Sequence, residues 1–133
     1  MADIKTRVAE IEGHQRKVIN SEVRPARSSH GASGIPLSRG RTMPFVVKRS
    51  WNAPAGRYTE GWYLVDPETR EVLYEGPQQL ALVWGLLSET DFTDEVDPRL
   101  RLDPGRYLVV FALGGIMGGQ LEVDAFEVGE GAA

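Results

Sequence analysis

The sequence predicts a mainly β protein: a small antiparallel β-sandwich or barrel, with one short helix at about 77–88 and an extended basic N-terminal arm. Three observations lead there. From residue 45 onward, short apolar runs alternate with turn residues at the spacing of strands. The run "RYLVVFAL" (106–113) is apolar at both parities, as a strand covered by neighbours on each side reads. Residues 24–44, "RPARSSHGASGIPLSRGRTMP", are instead Ser, Gly, Pro and Arg with Ile35, Leu37 and Met43 as their few substantial apolar side chains. Such a stretch buries too little surface to offset its ordering entropy, so it is expected to extend as an arm.

Within the expected sandwich, 45–129, each element has its own signal. "FVVKRSW" reads as a strand and "NAPAG" as a loop. "RYTEGWYLV" and "EVLYEG" flank "DPET", and that Asp-Pro opening suits a turn, which makes the pair a hairpin. "GPQQLALVWGLLSE" places Pro77 in a first helical turn and Leu80, Val83, Trp84 and Leu87 on one face, so a helix is predicted, with "LALVW" as a buried strand the alternative. "DFTDEVDPR" reads as an acidic loop and "RLRL" as a short strand. "DPG" is a strong turn before the central strand, and "QLEVDAFEV" alternates as a half-exposed strand does. Residues 130–133 form a tail. Ahead of the arm, Ile4, Val8 and Ile11 stand at helical spacing, which predicts a short amphipathic helix over 3–12. "RKVINSEV" (16–23) fits a short strand equally well.

Composition narrows function. At 133 residues and 41% hydrophobic, the chain suits one domain with one core. It has no cysteine and two histidines, which removes disulfides, thiolate chemistry and the usual zinc sets. No signal-peptide core opens the chain and no run approaches the ~20 residues of a membrane span, so a cytoplasmic or virion location is expected. The net charge of −4 hides an asymmetry. Residues 1–50 carry ten basic side chains against four acidic ones, while 51–133 carry five arginines against fifteen acids. That division marks either an interaction arm or a basic front lying across its own acidic domain.

No catalytic, cofactor-binding or metal-ligating set is predicted. His14 and His30 fall in the front segment, where no rigid scaffold would orient a triad. Glu89, Asp91, Asp94, Glu95 and Asp97 supply oxygen ligands but lack the glycine and closing glutamate of an EF-hand loop. "GGIMGG" has neither the lysine nor the following helix of a phosphate loop.

The expected function is therefore a non-enzymatic structural or assembly subunit of a larger complex, on the plan of capsid cement, decoration or cage components. Its partners are other protein subunits in a homo- or hetero-oligomer. The expected contacts are Arg24, Arg27, Ile35, Leu37, Arg39 and Arg41 on the arm, with Ile116 and Met117 projecting from a flexible six-residue loop, "GGIMGG", unless that tip folds back over the end of its own barrel. An accessory subunit of an enzyme complex would carry the same features. A carbohydrate-binding module is a further alternative, with Trp51, Tyr58 and Trp62 as an aromatic platform. Nucleic-acid contact by the basic arm is weaker, because the arm has no aromatic residue for stacking before Phe45.

Overall fold

The computed structural model describes residues 15–27 and 32–128. The described residues run through ten strands: β1 (Lys17–Pro25), β2 (Ile35–Ser38), β3 (Arg41–Thr42), β4 (Phe45–Asn52), β5 (Gly56–Val65), β6 (Val72–Glu75), β7 (Gln79–Val83), β8 (Thr90–Val96), β9 (Gly105–Leu113) and β10 (Ile116–Glu127). They form two sheets. One is three-stranded, β1-β4-β8, and antiparallel throughout. The larger follows β3-β2-β10-β9-β5-β6, with β7 also paired to β5. All its pairings are antiparallel except β2 with β10.

Alternation explains how the core fills. Phe45, Val47 and Trp51 of β4 point between the sheets, and Trp62 and Leu64 of β5 meet them from the other side. β9 lies between β10 and β5, as its two apolar faces predict. Its Tyr107, Val109, Phe111 and Leu113 enter the core, while outward Leu108 is buried and Val110 and Ala112 half-buried. The "DPG" turn leads into β9, and the Tyr107 hydroxyl donates to the Asp103 carbonyl at 2.7 Å. The bond pins the tyrosine side chain to the backbone just upstream of its strand, a corner that recurs in β-sandwiches.

Four expectations are corrected. The predicted helix over 77–88 is β7 followed by a turn. Leu80 and Leu82 face outward while Ala81 and Val83 face the core, so the period is two, and pairing to β5 satisfies the backbone. The acidic loop is likewise a strand, β8, whose register places Glu95 beside Val46 and Asp91 beside Ser50. The described part of 24–44 is woven into the sandwich rather than extended from it. Ile35 and Leu37 are fully buried because β2 pairs with the end of β10, and Gly34 N–H and Met43 N–H donate to Val23 and Pro36 carbonyls. Finally, the glycine-rich loop is a two-residue turn. Gly114 and Gly115, at φ +61° and +78°, close the β9–β10 hairpin, and Ile116 already pairs with Leu113. Gly118 lies flat on the Trp51 ring, where a β-carbon would sit 2.2 Å from it. The helix expected over 3–12 and the tail lie outside the described residues.

Candidate interaction surface

The interior holds the molecule's most concentrated chemistry. β4 alternation turns Arg49 inward, and β5 alternation brings Glu60 to meet it. The guanidinium forks onto the carboxylate, with Nε to Oε2 at 2.7 Å and Nη2 to Oε1 at 2.5 Å, and both side chains are wholly buried. Nη1 reaches Asp94 Oδ2 of β8 at 2.9 Å and the Val47 carbonyl at 3.2 Å. The indole N–H groups complete the set: Trp51 donates to Glu60 and Trp62 to Asp94, each at 2.9 Å. Burial works against the charged guanidinium, but hydrogen bonding and charge from Glu60, then Asp94, outweigh it and hold Arg49 above its ordinary range. The network joins one sheet to the other. Its polar atoms satisfy one another, which is the arrangement that makes a buried charge tolerable. Among the described residues, no group of three or more His, Asp or Glu side chains is placed to hold a metal.

The outside is the reverse. β7 pairs with β5 from Gly56↔Val83 to Glu60↔Gln79, and among the described residues no other strand pairs with it. Ala81 and Val83 join Tyr58 on the inner face, and the Gln79 amide approaches Glu60 Oε1 at 3.4 Å. Leu80 and Leu82, opposite Thr59 and Arg57, are left outward at 65% and 53% exposure. Trp84 continues their parity at 84% exposure, and Leu87 beyond it is fully exposed. The loop that carries them is anchored at both sides. Ser88 N–H donates to the Gly85 carbonyl, and the Asn52 amide to the Leu86 carbonyl. Pro77, which has no N–H, separates this apolar strip from β6, so β7 is a short edge strand.

The residues expected to bind a partner divide into three groups. Ile35 and Leu37 are core residues, and burial removes them as contacts. Ile116 is half-buried on the inner side of β10, whereas Met117 is 59% exposed. Met117 pairs with Ala112, which pairs with Gly61, so it shares the outer face of the sheet with Leu80 and Leu82. Three strand spacings separate them, about 14 Å. Among the arginines, Arg24 is half-buried, its Nη1 at 3.5 Å from the Pro25 carbonyl. Arg39 stands in the turn between β2 and β3, where its backbone N–H donates to Glu127. Arg27 and Arg41 are brought together with Arg99 around one concavity at the opposite end.

The aromatic platform does not form at the surface. Trp51 and Trp62 are fully buried, and Tyr58 is half-buried beneath the Arg16 guanidinium, which lies 4.6 Å from its ring centre. The sequence expectation does not include the apolar strip on β7 as a surface. Its signal was present in "GPQQLALVWGLLS" (76–88), a run with no charge in a chain that is 26% charged. Helical spacing within that run suggested a buried face instead.

No protein-family model matches the sequence, and no curated protein sequence matches it. Solved structures do resemble the fold. An alkylpurine DNA glycosylase of Pseudomonas fluorescens, in a complex with DNA containing an abasic-site analogue, aligns over 91% of this chain at TM-score 0.51 and 14% identity. A β-glucosidase of Listeria innocua aligns over 82% at 0.50 and 14%. One from Erythrobacter marinus aligns over 84% at 0.50 and 11%. This chain spans 34%, 16% and 15% of those proteins respectively, each a likeness of fold. The likeness is one of fold alone, to a part of each larger chain.

Proposed function

We propose that the chain is a non-enzymatic assembly subunit that docks onto a neighbouring protein subunit through Leu80, Leu82, Trp84, Leu87 and Met117. The observation that carries this reading is the exposed apolar strip on the β7 edge. A large apolar side chain gains about 1.5–3 kcal/mol when it passes from water to a covered site. Several on one edge would supply ample driving force for an interface, and tryptophan is a favoured anchor residue in interfaces. An unpaired strand edge adds backbone donors and acceptors that a partner strand can use. The fully satisfied interior network supports a structural role over a catalytic one, because its polar groups are engaged with each other.

Sedimentation and light scattering across a concentration series test the reading in its homo-oligomeric form. The full chain should self-associate, and the double change Leu82→Glu with Trp84→Ser should weaken association at least tenfold, about 1.4 kcal/mol. The melting temperature should stay within a few degrees, because neither side chain belongs to the core. A wild-type chain that stays monomeric at millimolar concentration, and no less soluble than the variant, overturns it.

A further inference from the structure

The end of the sandwich away from β7 has a different character. Arg27 follows β1, Arg41 lies in β3 and Arg99 follows β8, and all three line a concavity of about 340 Å³. Ser38, Thr42, Met43, Pro44 and Asp97 complete its wall. Three arginines from three separate elements line it together with one aspartate. Asp97 is itself 3.5 Å from Arg99 Nε. Like charges gathered this way repel unless an anion is shared between them. The chain as a whole is acidic, so the cluster runs against its overall charge.

The frame under these arginines is built by hydrogen bonds. Ala26 N–H donates to the Pro44 carbonyl, which fixes the Arg27 turn against the β3–β4 junction. Thr42 N–H donates to the Leu100 carbonyl, and Leu100 N–H returns to Thr42 Oγ1 at 2.9 Å. Leu102 N–H donates to the Gly40 carbonyl. Arg41 Nη1 donates to the Arg99 carbonyl at 3.2 Å, so one fork braces the other's backbone. Arg99 holds φ +53°, a left-handed conformation that a side-chain-bearing residue adopts at a cost. Such conformations gather at ligand clamps, where surrounding structure maintains them.

We propose that this pocket binds a phosphoryl group, either free or carried on a small molecule. Arginine forks match the tetrahedral oxyanion bidentately, and several of them are the usual answer to its charge. The hydroxyl of Ser38 supplies a neutral donor at the wall, and Met43 and Pro44 give an apolar side against which an ester substituent can rest. The site is independent of the apolar β7 end, so each stands or falls alone.

Isothermal titration of the full chain with inorganic pyrophosphate, with adenosine monophosphate and with sodium sulfate at matched ionic strength tests the assignment. Saturable one-to-one binding of pyrophosphate is expected, with sulfate at least tenfold weaker. Binding of pyrophosphate alone identifies the free anion as the ligand, and binding of the monophosphate as well identifies an esterified one. Arg27→Ala and Arg99→Gly should each lower affinity at least tenfold. Arg99→Gly should do so with an unchanged or higher melting temperature, because glycine relieves the positive φ. Arg57→Ala, on the β7 end, should bind as the wild type does. Absence of saturable binding, or variants that bind equally well, overturns the proposal.

Discussion

Two regions of this molecule invert the usual distribution of residues. Between the sheets lie Arg49 and Glu60, charged and wholly buried, with half-buried Asp94 beside them. On the outer edge lie Leu80, Leu82, Trp84 and Leu87, apolar and open to solvent. The buried charges each have partners within the chain, down to the indole N–H groups. The apolar residues outside have their side chains turned to water. Completeness is what separates them: a satisfied cluster serves the fold that contains it, and an unsatisfied one serves an encounter with something else.

The largest effect should come from breaking the interior set. Arg49→Met leaves Glu60 buried without its cation and should cost about 3–5 kcal/mol, read as a shift in the urea midpoint. Adding Glu60→Gln should return part of that loss, because it removes the stranded charge and keeps an acceptor for the Trp51 indole N–H. A single variant as stable as the wild type would remove the contrast altogether. Next comes the wall of that interior. Gly118→Ala drives a β-carbon into the Trp51 ring and should cost about 1–3 kcal/mol in thermal or urea unfolding.

An exposed charge should matter far less than the buried ones. The Asp66 carboxylate accepts N–H donors from Thr69 and Glu68, which hold it below its ordinary range. A carboxylate depressed on folding contributes stability that is whole above about pH 4, its unfolded value. That contribution is lost as pH falls through the lower folded value. Asp66→Asn should therefore show a slightly flatter stability profile between pH 5 and 2 than the wild type. An identical profile would mean that the turn gains nothing from the charge. The smallest change should come from the exterior. Leu82→Ser and Trp84→Ser should each move folding stability by no more than about 0.5 kcal/mol. A drop of several kcal/mol in either would place these side chains with the core and erase the distinction.

The strands most legible in the sequence were those whose burial is decided locally. β4 and β5 are legible as short apolar runs, β9 by apolar residues at both parities and the second half of β10 by alternation, and the "DPET" and "DPG" turns bound them chemically. What escaped was burial conferred from a distance. Ile35 and Leu37 sit in a Ser/Gly/Pro/Arg stretch too poor to form a core, yet β10 covers them from some ninety residues away. β7 failed for a different reason: Leu80, Val83, Trp84 and Leu87 satisfy a helical spacing, and only the vacant edge of β5 selects the strand. The interior network was hidden because nothing in "KRSW" marks Arg49 as inward and Lys48 as outward. By sequence, Arg27 and Arg41 are charges on an extended arm. Their meeting with Arg99 depends on backbone contacts between β3 and residues 99–102.

The parallel pairing of β2 with β10 sets an order on biosynthesis. Ile35, Pro36 and Leu37 align with Ala125, Phe126 and Glu127, so translation must pass that point before the pairing can form. A β-protein dominated by such distant pairings folds slowly, because loop closure precedes the reward. β7 emerges from the ribosome well before β10, with its leucines and Trp84 already uncovered. For that interval the nascent chain presents both a free edge and an open core, which is the state that molecular chaperones recognise.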